Sequence, residues 1–252
     1  MDARYVLHLR QHARHYRLIA LGFAVFAVTE LLVPPRRGGT FRSDDPRIGK
    51  PYQAHEHVPN LLCLLLAVGL PTAAVFAVCA VQRKRWSRDA EPLPRPASDP
   101  LPQAAAGVFH AAMVRLWLGT SGVAAVTNVL KAAVSRRRPD FLARCEPRAG
   151  APLLLTLEDC TTDDFGRLYE GLRSWPSGHS SLICCGMSFL CIWAARYWPW
   201  SRSRVPLQLA CALLALAVMW SRVVDARHHP TDVLSGATAG VAAQLLVWHT
   251  VL

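Results

Sequence analysis

The chain has 252 residues, 52% of them hydrophobic, and a formal net charge of +11. Its apolar residues gather in long runs without a polar stripe, which disfavours a soluble helical protein and points to a membrane protein. The positive balance is not that of a nucleic-acid binder, because no basic stretch carries interleaved aromatics; basic loops against anionic lipid headgroups account for it.

Six apolar runs reach or approach the ~20 residues that cross a hydrocarbon core. They predict an all-α, polytopic bundle of six transmembrane helices in a single domain over residues 1–252. Residues 1–17 are a polar, basic lead-in, amphipathic or loose. The first span covers residues 18–33. Glu30 lies near its end and it runs into Pro34-Pro35 with no small-residue cleavage pattern, which favours a retained anchor over a signal peptide. A polar loop, residues 35–57, leads to the second span, residues 59–81, in which Gly69 and Pro71 are tolerable as they are in other membrane helices. Residues 82–103, rich in Pro and charge, read as an exposed, partly disordered connector. The third span is residues 104–130. Residues 131–175 form the longest loop, without a strong signal for regular structure, and loops of that length are often functional. The remaining spans are residues 180–198, 205–220 and 233–251, joined by short turns at 201–204 and 222–231. Trp193, Trp198, Trp200, Trp220 and Trp248 fall near span ends, where interfacial aromatics belong.

Of the eight cysteines, six lie in spans and read as small buried hydrophobes. Cys145 and Cys160 share the longest loop and can pair if it faces an oxidising compartment. No cysteine or histidine spacing resembles a zinc site.

Three short patterns carry the chemistry. The first is Lys131, six residues, then Arg138-Pro139; the second is Pro176-Ser177-Gly178-His179; the third is Ser221-Arg222, five residues, His228, three residues, Asp232. The parity of the spans brings all three to one face of the membrane: the third span exits at Lys131, the fourth begins after His179, the fifth exits at Ser221-Arg222 and the sixth enters after His228. The positive-inside count is nearly balanced, because the patterns themselves are basic. The cluster Arg83-Lys84-Arg85 beside a span end assigns the opposite face to the cytosol and the patterns to a lumen or the exterior.

The residue types suit a phosphate group, whose reactions depend on positioning and on stabilising charge over its oxygens. Arg138 and Arg222 supply directed two-point hydrogen bonds and Lys131 a point charge. Arg136 and Arg137 compete with Arg138, which is biased to an extended backbone by Pro139. Alternatively, this stretch is a basic membrane edge meeting headgroups. Ser177 or a neighbour can cap the fourth span, Gly178 admits close approach of a ligand to the backbone, and the free N–H groups of a helix start attract anions. His179 then lies in the first turn; an ordinary cap with a surface histidine is the plainer reading. His228 and Asp232 share a helical face if the sixth helix starts near them. A carboxylate on one ring nitrogen frees the other to attack. The alternatives are a structural His–Asp contact or a metal-ligand pair, the latter disfavoured by the neighbouring cations.

Together the three patterns resemble the signature motifs of the type 2 phosphatidic acid phosphatase superfamily, with every fixed position present at its spacing. The runs Thr29-Glu30-Leu31-Leu32, Arg138 to Cys145 and His228 to Gly236 look like the phospholipid phosphatase branch, which acts on phosphatidate and diacylglycerol pyrophosphate. The resemblance covers nearly the whole chain. It implies a phosphohistidine on His228, orientation of that ring by Asp232, proton transfer by His179, and phosphate binding by Lys131, Arg138, Ser177, Gly178 and Arg222, with no metal or other cofactor. Pro230 departs from the aromatic residue that relatives often carry there and implies an altered substrate fit.

The expected protein is therefore a membrane lipid phosphate phosphatase with a phospholipid substrate and no nucleic-acid partner, homo-oligomerisation being left open. A lipid phosphotransferase using the same covalent intermediate is one alternative. A non-enzymatic carrier or receptor with a basic mouth is the other; it calls for polar residues along the bundle, and few are seen beyond Glu30, Thr127, Asn128 and Gln244.

Overall fold

The computed structural model describes residues 3–36, 39–88 and 105–251. In chain order, α1 (Ala3–Leu31) is followed by a short strand, β1 (Phe41–Arg42), and an irregular stretch up to Pro59. Then α2 (Asn60–Leu64) passes through a π-helical turn (Leu65–Gly69) into α3 (Leu70–Arg88). The Pro-rich connector expected over 82–103 is helical as far as Arg88, and the rest lies outside the described residues. α4 (Ala105–Val134) leads to α5 (Phe141–Cys145), β2 (Leu154–Leu155), a 3-10 turn (Leu157–Asp159) and α6 (Phe165–Glu170). Three long helices complete the chain: α7 (Gly178–Tyr197), α8 (Ser201–Val224) and α9 (Pro230–Thr250).

The protein is an all-α, polytopic membrane protein. Among the described residues four stretches are long and apolar enough to cross a membrane, Asn60–Arg83, Ala105–Val134, Gly178–Tyr197 and Ser201–Val224, where the sequence predicts six spans. The other two expected spans form long helices, α1 and α9, that are too polar to meet the same standard. α1 includes Arg14, Arg17 and Glu30, and α9 opens on Thr231 and Asp232 and carries Ser235, Thr238 and Gln244. The outer surface of the bundle is apolar. α8 turns Val205, Leu209, Leu213, Leu216 and Trp220 outward, one face at helical spacing that water would not tolerate and lipid does. The turn expected at 201–204 is instead the start of α8, whose Pro206 sits close enough to the N-terminus to cost little.

α7 is the central helix and packs on α4, α8, α9 and the π-helical turn. Its tightest seam is with α9. A Cβ on Gly236 would lie 2.4 Å from the Ser177 carbonyl oxygen, and one on Gly240 would lie 2.2 Å from that of Ser181. Small residues four apart let two helix backbones touch. This contact fixes the start of α9 against the start of α7, and the Ser177 N–H donates to the Asp232 carbonyl at 2.9 Å. The second and third patterns are thereby joined backbone to backbone.

The loop over 131–175 is more ordered than its sequence suggests. It folds as a cap with its own small core, in which Phe141, Leu155, Leu168 and Leu172 pack with Phe41 and Ile48 from the segment before α2. β1 pairs antiparallel with β2, placing Phe41 opposite Leu155. A disulfide joins Cys145 to Cys160. The guanidinium groups of Arg144 and Arg167 stack on Tyr52, 4.9 and 4.1 Å from the ring centre.

Candidate active site

The last turn of α4 presents Lys131 toward the start of α7, where the lack of a side chain at Gly178 leaves space: a Cβ there would stand 3.2 Å from the Lys131 Nζ. Beyond α4 the chain reverses through Ser135, in a left-handed conformation at φ 48°, and the three arginines that follow diverge. Arg136 donates to the Asp232 carboxylate at 2.6 Å and to the Thr231 hydroxyl at 2.8 Å. Arg137 lies over the Phe41 ring and donates to the Gly39 carbonyl. Arg138 is buried and turns into a cavity, where it meets Glu170 at 2.9 Å.

That cavity, about 390 Å³ in volume, is walled by six of the eight expected site residues: Lys131, Arg138, Gly178, His179, Arg222 and His228. The other two stand behind the wall. Ser177 caps α7, accepting from the Ser180 N–H and hydroxyl at 3.4 and 3.0 Å. Asp232 is fully buried in the first turn of α9.

The two histidines are held differently. His228 Nδ1 lies 2.7 Å from the Ser174 carbonyl oxygen. A carbonyl only accepts, so this bond puts the proton on Nδ1 and leaves the Nε2 lone pair free. Asp232 does not hydrogen-bond this ring: its Oδ2 is 4.0 Å from His228 Nδ1. It accepts instead from the Ser174 hydroxyl at 2.6 Å and from the His229 N–H at 2.9 Å. The carboxylate thus fixes the residue whose carbonyl orients His228. His179 donates from Nε2 to the Val58 carbonyl at 3.0 Å and lies 3.4 Å from an Arg222 nitrogen.

Several wall residues have no counterpart in the sequence reading. Arg173 and Arg227 add cations, and Glu30, Glu56 and Glu170 add carboxylates. Glu56 accepts from Arg222 at 2.6 Å and meets Arg227 at 3.1 Å; Glu30 accepts from Asn128 at 2.9 Å and from Arg173 at 2.8 Å. Arg227, directly before His228, was within reach of the third pattern. Glu56 sits in the irregular stretch before α2 and Glu170 ends α6, within the segment that the sequence reads as loop, and neither gives a local signal. Burial alone would raise the Glu170 carboxyl, but Arg138, Arg144 and Arg227 outweigh it and hold the group at about 2. Burial, followed by the charges of Arg138 and Lys131, pushes His228 well below the ordinary histidine value. Five basic and three acidic side chains give the wall a net charge of +2 with neutral histidines. An anion is the ligand such a wall attracts. Among the described residues no group of three or more His, Cys, Asp or Glu is arranged to hold a metal ion.

Comparison with known proteins gives the family. Residues 111–252 match the family described as the PAP2 superfamily. The chain is 34% identical over 253 residues to Lipid phosphate phosphatase 1 of Saccharomyces cerevisiae, a match spanning 98% of this chain and 91% of that one. It is 30% identical over 213 residues to Diacylglycerol pyrophosphate phosphatase 1 of the same yeast, spanning 79% and 66%. It is 34% identical over 127 residues to human Phospholipid phosphatase 2, spanning 48% and 44%. No solved structure matches. A family match over more than half the chain, joined to a likeness that runs nearly its full length, means that the chain belongs to the PAP2 superfamily, with relatives in its phospholipid phosphatase branch.

Proposed function

We propose that this protein is a six-span membrane phosphatase that hydrolyses phosphatidate, and related lipid phosphates such as lysophosphatidate and diacylglycerol pyrophosphate, through a phosphohistidine and without a metal. The reading rests above all on one observation: His228, its Nδ1 bonded to a carbonyl, offers a free Nε2 to a cavity whose wall carries a net charge of +2, the match for a phosphate monoester dianion. The yeast relatives named for lipid phosphate and diacylglycerol pyrophosphate hydrolysis support the substrate class.

In this mechanism Lys131, Arg138 and Arg222 grip the phosphate oxygens, exchanging part of their pairing with Glu56 and Glu170 for the substrate. The N–H groups at Gly178 and the start of α7, a turn held by the Ser177 cap, face the same anion. His228 Nε2 attacks phosphorus and the bond to the lipid oxygen breaks, while His179, which takes a proton on Nδ1 when the phosphate anion binds beside it and keeps its Nε2–H on Val58, hands that Nδ1 proton to the departing alkoxide. Water then gives a proton to His179 and attacks phosphorus, breaking the P–N bond and releasing inorganic phosphate. Asp232 acts at one remove, through Ser174. The cations would repel a metal ion brought to the same place, so the charge stabilisation is assigned to the side chains.

Purified protein in detergent micelles with phosphatidate tests this directly. Chelator-resistant phosphate release is expected, falling by roughly a hundredfold or more in His228→Ala and in His179→Ala. Undiminished turnover in His228→Ala removes the nucleophile assignment.

A further inference from the structure

The cavity is much longer than a phosphate requires. Along α4 its wall is formed by Trp117, Thr120, Ala124, Asn128 and Lys131, a single helical face. The fourteen steps along the helix from Lys131 to Trp117 span ~21 Å at the helical rise. The charged groups crowd one end. Leu64, Val68 and Leu182 line the middle, and Phe23 and Trp117 stand at the far end with their rings edge to face at 5.7 Å between centres.

The size of this space selects an occupant. An apolar cavity of ~150 Å³ accepts the six carbons of benzene. In proportion, a volume of about 390 Å³ accepts ~16 heavy atoms; the phosphate group takes about five of these, and the ~11 carbons left are one hydrocarbon chain and not two. The space also opens sideways. Among the described residues α1 rests on α4 and makes no comparable contact with α2 or α3, and Phe26 on α1 and Leu64 on α2, both wall residues, remain 38% and 46% exposed. A lipid bound by its phosphate can therefore pass one chain inward between α1 and α2 and leave any second chain in the bilayer.

We infer that the cavity binds a single hydrocarbon chain of a lipid phosphate, and that the Phe23–Trp117 pair at its floor sets the longest chain accepted. This rests on the proposed lipid phosphatase activity, so the test has an arm that does not require turnover. In that arm a non-hydrolysable alkylphosphonate with a photoreactive group at its chain end is crosslinked to the protein in micelles. Labelling of Phe23 or Trp117 is expected; labelling confined to outward residues of α8 such as Leu209 and Leu213 overturns the inference, whatever the enzyme hydrolyses.

In the second arm kcat/KM is measured against monoacyl phosphates of increasing chain length, with a short water-soluble phosphate ester as the control for intact chemistry. Wild type is expected to show a break near ~11 carbons, with at least a tenfold fall beyond it. Trp117→Ala moves the break to longer chains. Ala124→Phe, which blocks the cavity midway, moves it to shorter ones and retains activity on the soluble ester. A break that stays in place in both variants, with the soluble ester still cleaved, overturns the inference and leaves the phosphatase reading standing. Loss of all hydrolysis in wild type sinks that reading and leaves the crosslinking arm to decide on the chain.

Discussion

In the proposed mechanism His228 can attack phosphorus only while its ring is neutral. Burial and the charges of Arg138 and Lys131 lower its affinity for a proton, so the ring stays neutral at pH values where an ordinary histidine is half protonated. The acid limb that this group contributes to kcat/KM is therefore expected below the usual histidine range. Arg138→Met removes one of the opposing charges, so the limb should move up in pH, on top of a fall in kcat/KM of ~10²–10³. A pH profile on a soluble phosphate ester checks this, and an unmoved limb would show that Arg138 does not control the nucleophile. Glu170 works in the opposite sense. Its carboxyl is held at about 2 against an ordinary 4.5, so its charge stabilises the fold above pH 4.5 and that contribution disappears as the pH falls through about 2. Glu170→Gln should lower the melting temperature at neutral pH, with the difference from wild type closing across that acid window. The side chain is half-exposed, so screening limits the effect to about 1 kcal/mol. The histidines, Lys131 and Arg222 were legible because fixed spacing betrays them. Arg138 was separable from Arg136 and Arg137 only by the proline after it. Glu56 and Glu170 were not legible at all, since an acidic residue in a loop reads as a solvated surface until the fold sets it against a guanidinium.

At the level of elements, the seam between α7 and α9 carries the site. Gly236 and Gly240 stand four apart in the sequence, but their partner carbonyls at Ser177 and Ser181 are each 59 residues away and cannot be seen from α9 alone. Gly240→Leu must displace the Ser181 backbone, because even its Cβ would lie 2.2 Å from that oxygen. Overpacking of this kind costs ~1–3 kcal/mol or more and here separates His228 from His179, so activity should fall with the melting temperature. Gly122→Ala on α4 is the control: a Cβ there meets nothing within 4 Å, and the exchange removes a glycine from a helix interior, leaving stability equal or slightly higher. Equal losses in both variants would deny the seam its role. The cap shows the same limit of sequence reading. Its residues form a compact unit only because Phe41, Ile48 and Tyr52 reach it from another loop, so as an isolated stretch 131–175 gave no pattern. The disulfide between Cys145 and Cys160 closes a loop with a separation of 15 residues, worth ~3 kcal/mol in the chain-entropy view. Cys145→Ser should make the cap the first site of proteolysis and weaken substrate binding more than it lowers kcat, because Glu170 and Arg173 ride on this unit.

For the molecule as a whole, the decisive legible feature was parity: the order of apolar runs requires the three patterns to meet on one face, and the cavity wall contains residues from all three. The number of spans was less legible. Hydropathy measures how a helix suits lipid on all sides, whereas α9 is bound to α7 through glycines and holds Gln244 fully buried, so its polar groups are enclosed by protein. Sidedness is predicted from two independent physical signals. Basic residues beside span ends favour the cytosol, and Arg83, Arg202 and Arg204 belong to the face opposite the site. A disulfide persists where the medium oxidises, and Cys145–Cys160 lies on the site's face. Both predict that the cavity faces a lumen or the exterior. Substituted cysteines test this against a quiet background, because five of the six free cysteines are buried and Cys191 is half-buried. His55→Cys reports the site face and Ser201→Cys the opposite one. In sealed microsomes with the cytosolic side outward, a membrane-impermeant maleimide should label Ser201→Cys at once and His55→Cys only after detergent is added. The reverse order would place the phosphate site in the cytosol and leave the disulfide without an oxidising compartment to maintain it.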